Sequence, residues 1–106
     1  MNSNSFWNWA GQFVGYRLVD DLYGYNGRQV GYFAEGDEVY GCNGGYLGEV
    51  RSGNRLITNL SKKAWTRGSL PARSQKSSPG FPDMNAKEML AGYEDFPSSE
   101  QTAPIS

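Results

Sequence analysis

Few residues in this chain have the types that catalysis needs. Its 106 residues include no His, which excludes Ser/His/Asp and Cys/His nucleophile arrangements and every metal site with an imidazole ligand. The single Cys42 can form neither an intramolecular disulfide nor a zinc cluster, so we expect it to pack as a small side chain. The sequence therefore predicts no catalytic residue, no cofactor and no metal site.

The carboxylates lie where turns are expected. Asp20 and Asp21 are adjacent, so in a strand their side chains would point to opposite faces. The acidic residues around Gly36 belong to another turn. Glu49 differs, because it replaces an aromatic residue of the repeat described next. We expect an ordinary surface charge at Glu49, with a functional site as the alternative.

An internal repeat organises the first two thirds of the chain. A shift of 17 places residues 22–37 on residues 39–54, with Tyr, Asn and four Gly columns identical. A shift of 16 adds an earlier copy at residues 6–21, and a degenerate fourth copy begins at Leu56. Each copy has two turn signals about eight residues apart with a short Tyr-, Phe- and Val-rich run between them.

The repeat predicts an all-β domain. Asn26-Gly27 and Asn43-Gly44 tolerate positive φ at both positions and predict type I′ hairpin turns. The four copies then give eight short antiparallel strands in four consecutive hairpins of about 16–17 residues. Gly31 and Gly48 lie inside predicted strands, which indicates a close approach of two backbones or a bend.

These residues resemble the four-fold beta flower, a small bacterial β-hairpin repeat domain, over residues 6–67. The best matches are Tyr25-Asn26-Gly27 with Val30-Gly31-Tyr32-Phe33, and Asn43-Gly44 with Leu47-Gly48. The resemblance implies four hairpins around a pseudo-four-fold axis, and it implies no activity. The chain departs from the pattern at Glu49 and in lacking Asn-Gly in the first and fourth copies.

Two columns of aromatic residues are the candidate binding residues. One column holds Trp7, Tyr23 and Tyr40, and the other holds Tyr16, Tyr32 and Trp65. Exposed rings could stack on a sugar, a nucleobase or a peptide side chain, since Tyr and Trp are enriched at binding hot spots. The alternative is that both columns form the core, and the sequence leaves the two open.

Composition changes near Gly68. We divide the chain into a flexible N-terminus (1–5), the β-hairpin repeat domain (6–68) and a Pro/Ser-rich, largely disordered tail (69–106). Good helix formers after Asp83 predict a short helix over residues 83–93. Residues 51–82 carry seven basic residues and no acid, which suits nucleic acid, but the net charge of -1 argues against nucleic-acid binding.

The function expected from these features is a non-enzymatic binding or adaptor module that engages a protein or peptide through its aromatic surface and tail. The alternative is a small-ligand or nucleotide-binding domain with an aromatic ring at the pseudo-symmetry axis. No signal peptide or apolar run of membrane-spanning length is found, so we expect a cytoplasmic protein without a membrane partner. The partner and the oligomeric state do not follow from the sequence.

Overall fold

The computed structural model describes residues 5–71, 73–76 and 81–97, and these form an all-β structure. The strands are β1 (Ser5–Asn8), β2 (Phe13–Leu18), β3 (Asp21–Gly24), β4 (Gln29–Ala34), β5 (Glu38–Gly41), β6 (Tyr46–Arg51), β7 (Arg55–Asn59) and β8 (Tyr93–Asp95). A 3-10 turn covers Leu60–Lys62, and no α-helix occurs in the described ranges. None of their elements is a helix long and apolar enough to cross a membrane. The all-β prediction is confirmed.

The sheet closes on itself. Strands β1 to β7 pair antiparallel in chain order, and β1 also pairs parallel with β7 through Trp7–Arg55 and Asn8–Leu56. This pairing makes a barrel of seven strands. The remainder of β7 pairs antiparallel with β8, from Ile57–Asp95 to Asn59–Tyr93. Closure covers sheet edges that would otherwise expose unpaired backbone groups.

The core consists mainly of apolar residues from the strands. Its buried members are Phe6, Val14, Leu22, Val30, Phe33, Val39, Leu56 and Phe96. Leu22, Val39 and Leu56 have no exposed surface, and the rings of Phe6 and Phe33 lie 5.5 Å apart. Since successive strand residues point to opposite faces, the tyrosines next to these positions in the sequence lie outside this cluster.

The Asn-Gly turns differ from the type I′ prediction, which is wrong. Gly27 N donates to Gly24 O at 2.9 Å and Gly24 N donates to Arg28 O at 2.7 Å, which closes a three-residue loop. Gly27 has a φ of 82°, whereas Asn26 is not among the residues with positive φ. The Asn26 side chain instead accepts a hydrogen bond from Arg28 N. A three-residue loop needs the left-handed conformation only at its last position, where Gly stands.

The same loop recurs in the first and third units. Gly11 N donates to Asn8 O and Gly44 N donates to Gly41 O, with positive φ at both glycines. Consecutive positive φ values, which type I′ turns require, occur at the other turns, in Glu35-Gly36 and Ser52-Gly53.

The fourth predicted hairpin does not form within residues 56–68. The Asn59 side chain accepts a hydrogen bond from Ser61 N and caps the 3-10 turn, so the chain leaves the sheet after β7. Of the residues that follow, Thr66 makes an isolated bridge with Gly45. Outside the barrel, β7 pairs with β8, which lies in the tail.

The helix predicted over residues 83–93 is also wrong. Residues 81–90 have no regular secondary structure because the barrel uses their backbone groups. Met84 N donates to Gly11 O at 2.7 Å, and Lys87 N donates to Trp9 O at 2.9 Å. These contacts replace the bonds within a helix and override a local helix propensity that is weak in so short a segment.

The remaining predictions about the tail and N-terminus are tested only in part. Residues 69–71, 73–76 and 81–92 contain no strand or helix, whereas β8 follows them and Phe96 is 2% exposed in the core. Residues 98–106, and 1–4 of the predicted flexible N-terminus, lie outside the described residues.

The predicted close approach at Gly31 is confirmed. A Cβ atom there would overlap the carbonyl oxygen of Tyr40 on the next strand, and Gly15 stands in the same relation to Tyr23. At Gly48 a Cβ would lie 2.8 Å from the carbonyl oxygen of Ile57 on the next strand and 2.5 Å from the nearest carbon of the Phe96 ring. Glycine therefore lets neighbouring backbones approach in all three units, and in the third it also admits a tail side chain.

Candidate functional site

An open cleft of about 600 Å³ lies on the outside of the barrel beside β5. Its lining residues, which define the Trp65 cleft, are Glu35, Glu38, Tyr40, Trp65, Thr66 and Arg67. β5 and the turn before it supply one wall. The segment after the 3-10 turn supplies the other, held by Tyr46 N donating to Trp65 O at 3.0 Å and Arg67 N donating to Gly44 O at 2.7 Å.

A row of aromatic rings leads into this cleft. Tyr32 stacks on Tyr40 with ring centroids 6.1 Å apart, and Tyr46 meets Tyr40 edge-on at 5.8 Å. Trp65 follows at 6.5 Å from Tyr46. Tyr40 is 1% exposed, whereas Trp65 is 47% exposed. The row therefore begins as packed structure and ends in an indole that solvent and a ligand can reach.

A network of charged side chains holds the tyrosines of this row in place. Lys62 Nζ lies 2.9 Å from Glu38 Oε2 and 2.8 Å from Glu49 Oε1. Tyr40 OH donates to Glu38 Oε1 at 3.0 Å, and Tyr46 OH donates to Glu49 Oε1 at 2.9 Å. Glu49 is thus a buried partner of Lys62 and Tyr46, not the ordinary surface charge that the sequence favoured.

The protonation states of this network follow from its contacts. Burial alone would raise the pKa of Glu38, but the hydrogen bonds from Lys62 and Tyr40 outweigh it, and the pKa is lowered. The hydrogen bonds of Lys62 to Glu38 and Glu49 raise the pKa of Lys62. Burial, reinforced by Glu38, raises the pKa of the Tyr40 phenol. At neutral pH the Glu38 carboxylate, the Lys62 ammonium and the neutral Tyr40 phenol are therefore already paired, which suits a structural role better than acid–base catalysis.

Arg67 occupies the mouth of the cleft. Its guanidinium lies 5.6 Å from the centre of the Tyr40 ring, and Nη2 lies 3.2 Å from Glu35 Oε2. The side chains of Arg67 and Glu35 are 42% and 64% exposed, so this pair is open to solvent. An exposed ion pair is weak and can exchange for another partner.

The six predicted binding residues are not brought together. Tyr32, Tyr40 and Trp65 belong to the row beside the cleft, whereas Tyr16 and Tyr23 form a separate stacked pair at 5.6 Å. Trp7 is buried against Phe13 and Phe81, and its Nε1 donates to Pro82 O at 2.9 Å. Of the six, Trp65 is exposed, Tyr16 is half-buried and the others are buried. No ring of aromatic side chains around one point is formed.

Sequence reasoning missed the charged half of the cleft. Glu35 and Glu38 were expected to be solvated turn charges, and Arg67 was one of many basic residues. The usable signal was Glu49, because a carboxylate in an aromatic column needs a buried cation nearby. Lys62 is that cation.

Much of the basic segment is neutralised within the chain. Arg73 Nε lies 2.6 Å from Asp21 Oδ2, and Lys63 Nζ lies 2.7 Å from Glu94 Oε2. Arg73 and Asp21 also line a second cleft, of about 460 Å³, between the barrel and the tail. In the described part of the chain, no group of three or more His, Cys, Asp or Glu residues is placed to hold a metal ion.

Comparison with known proteins adds the family. The model of the family described as "4-fold beta flower protein" matches residues 4–106, which include the tail as well as the repeats. No curated protein and no solved structure matches the chain. The chain belongs to the 4-fold beta flower protein family.

Proposed function

We propose that this chain is a non-enzymatic binding module that holds a segment of a partner protein or peptide in the Trp65 cleft. The observation that carries the proposal is the 47% exposure of Trp65 at the end of an otherwise packed aromatic row. Exposed Trp is costly to solvate and is among the residues most enriched at binding hot spots.

The cleft is pre-organised for binding. Tyr40 and Tyr46 are each fixed by a carboxylate, and the backbone on both sides of Thr66 is hydrogen-bonded to the turn after β5. A ligand that docks on fixed rings loses less conformational entropy than one that must order them.

The alternative, a small ligand or nucleotide held at the barrel axis, has less support. Apolar side chains of the described strands, including Phe6 and Phe33, pack in the buried core together with Phe96, which follows β8. A ligand there would have to displace well-packed core atoms.

We also propose that the domain has four units arranged around a pseudo-four-fold axis. We take β7 with β8 as the fourth unit, because β8 lies beside β7 where a fourth hairpin would place its second strand.

The test is a selection from a phage-displayed random peptide library on the full chain. We expect peptides to be enriched on the wild type and lost on Trp65→Ala. Leu18→Ala is the matched control, since Leu18 is 46% exposed and lies outside the cleft. Near-ultraviolet circular dichroism establishes that each variant is folded. Equal enrichment on Trp65→Ala, or no enrichment on the wild type, would contradict the proposal.

A further inference from the structure

We infer that the Trp65 cleft binds the cationic side chain of an Arg or Lys residue in an extended segment of a partner protein. This inference rests on the proposed function and names the chemical class of its ligand. It starts from Arg67, which occupies the cleft in the way that such a ligand would.

Arg67 shows what the cleft accepts. Its guanidinium lies over the Tyr40 ring and against the Glu35 carboxylate, the two groups that attract a cation through a ring face and through charge. Glu38 on the same wall is already held by Lys62 and Tyr40, so Glu35 is the carboxylate of the cleft that a ligand can reach. Lys62 is held by Glu38 and Glu49 and also lies 5.0 Å from the centre of the Trp65 ring.

The same chemistry recurs around the barrel. Lys76 Nζ lies 5.9 Å from the centre of the Tyr23 ring, and Lys87 Nζ lies 6.0 Å from that of Trp9. In each case the backbone N–H of the same basic residue also donates to a carbonyl of the adjacent turn, Gly27 O or Trp9 O. Arg67 has the same two contacts, a ring under its side chain and a backbone hydrogen bond to a turn. The described outer surface of the barrel therefore binds an extended segment with a basic side chain over a ring at each of these three residues.

Arg67 differs from the other two in having a cleft with an exposed indole beside it. Its backbone bond to Gly44 does not depend on the side chain, which is 42% exposed and can swing out while the backbone stays. Arg67 is then an internal competitor for the cationic site, and a partner's Arg or Lys would take its place over Tyr40.

The experiment is a titration of the full chain with the blocked peptide Gly-Gly-Arg-Gly-Gly, followed through the indole N–H signals in nitrogen-15 NMR spectra. The Trp65 signal is assigned by its loss in Trp65→Ala. The same peptide with citrulline in place of Arg keeps the shape and removes the charge. We expect the Arg peptide to shift the Trp65 signal and the citrulline peptide to bind at least about threefold more weakly, the scale of one exposed cation–ring contact.

Three variants test whether the cleft prefers a cationic or an anionic ligand. Arg67→Gln should bind the Arg peptide several-fold more tightly, because the internal competitor is gone, and Glu35→Gln should bind it more weakly. Arg28→Gln is the matched control and should leave binding unchanged, since Arg28 is exposed and lies beside the Asn26-Gly27 turn, outside the cleft.

Other outcomes overturn the inference. Weaker binding by Arg67→Gln, together with a shift of the Trp65 signal by Gly-Gly-Glu-Gly-Gly, would make Arg67 the ligand-binding group of an anion site. Equal binding of the Arg and citrulline peptides would remove the role of charge. If Trp65-dependent peptides emerge from the library without basic residues, this inference fails while the proposed function stands.

Discussion

The backbone N–H of Lys76 donates a hydrogen bond of 2.9 Å to the carbonyl oxygen of Gly27, the glycine of the three-residue loop between β3 and β4 in the second unit. Arg67 makes the same contact with Gly44, and Met84 makes it with Gly11, both at 2.7 Å. The described parts of the chain after the barrel, residues 60–71, 73–76 and 81–97, therefore contact the three-residue loops of the third, second and first units in that order. The last of these parts pairs with β7 through β8, and we call the three parts together the belt.

The belt predicts that the turn glycines are not equivalent. Gly27 and Gly36 have φ values of 82° and 85°, so Ala at either position incurs a similar backbone strain of about 1 kcal/mol. A Cβ at Gly27 would also overlap Lys76 O, whereas a Cβ at Gly36 meets nothing within 4 Å. We expect Gly27→Ala to lower the free energy of unfolding by at least about 1 kcal/mol more than Gly36→Ala. Urea titrations of both variants measure this, and equal midpoints would show that the belt yields freely.

A second prediction concerns the side chain by which the tail enters the core. Phe96 is 2% exposed and packs against Gly48, whereas Phe81 is 42% exposed and contacts Trp7 and Phe13 at the surface. We expect Phe96→Ala to cost about 3 to 5 kcal/mol of unfolding free energy, as for other buried Phe residues. Phe81→Ala, the control, should cost clearly less. Similar small losses for the two variants in thermal and urea unfolding would mean that the barrel is complete without its tail.

A third prediction concerns the buried cation that joins barrel and belt. Arg55 is 5% exposed and donates to the carbonyl oxygens of Asn8 and Trp9, each at 3.3 Å, and of Asn85 at 2.7 Å. Lys keeps the charge but lacks the planar fork that reaches both sides. We expect Arg55→Lys to cost about 2 to 4 kcal/mol, because buried carbonyls lose their donors. Arg51→Lys at the surface should change the unfolding free energy by less than about 0.5 kcal/mol. A neutral Arg55→Lys would rule out this role.

The fourth prediction concerns pH. Because the pKa of Glu38 is lowered in the folded state, its contribution to stability is present above the ordinary Glu pKa of 4.5 and is lost as the pH falls through the lower, folded value. Glu38→Gln should therefore flatten the decline in unfolding free energy below about pH 4.5. Glu94→Gln, at an exposed ion pair, is the control and should leave that decline nearly unchanged. The idea fails if Glu38→Gln and the wild type decline in parallel.

At the alkaline end the sign reverses. Burial raises the pKa of the Tyr40 phenol, so the unfolded chain loses this proton first. Stability should then fall as the pH rises above the ordinary Tyr pKa of 10.0. Tyr40→Phe should reduce that fall, which chemical denaturation at a series of pH values measures.

The sequence by itself determined the repeat, and with it the all-β class and most strand positions. Alternation of apolar and polar residues and Gly at fixed intervals are local properties, so they can be read without the fold. The column of Gly31 and Gly48 predicted a close backbone approach or a bend, and the close approach is found, because only Gly fits opposite a neighbouring carbonyl.

Tertiary structure alone decided the closure of the barrel, the course of the tail and the place of the cleft. The contacts from Lys76 to Gly27 and from Met84 to Gly11 join backbone groups far apart in the chain. Backbone N–H and C=O groups are the same in almost every residue, so the pattern of side chains in the sequence does not predict such contacts. For the same reason the aromatic columns could not be divided into buried and exposed members. Trp65 is exposed and Tyr40 is buried because of what the belt and the neighbouring strands cover, not because of the residues themselves.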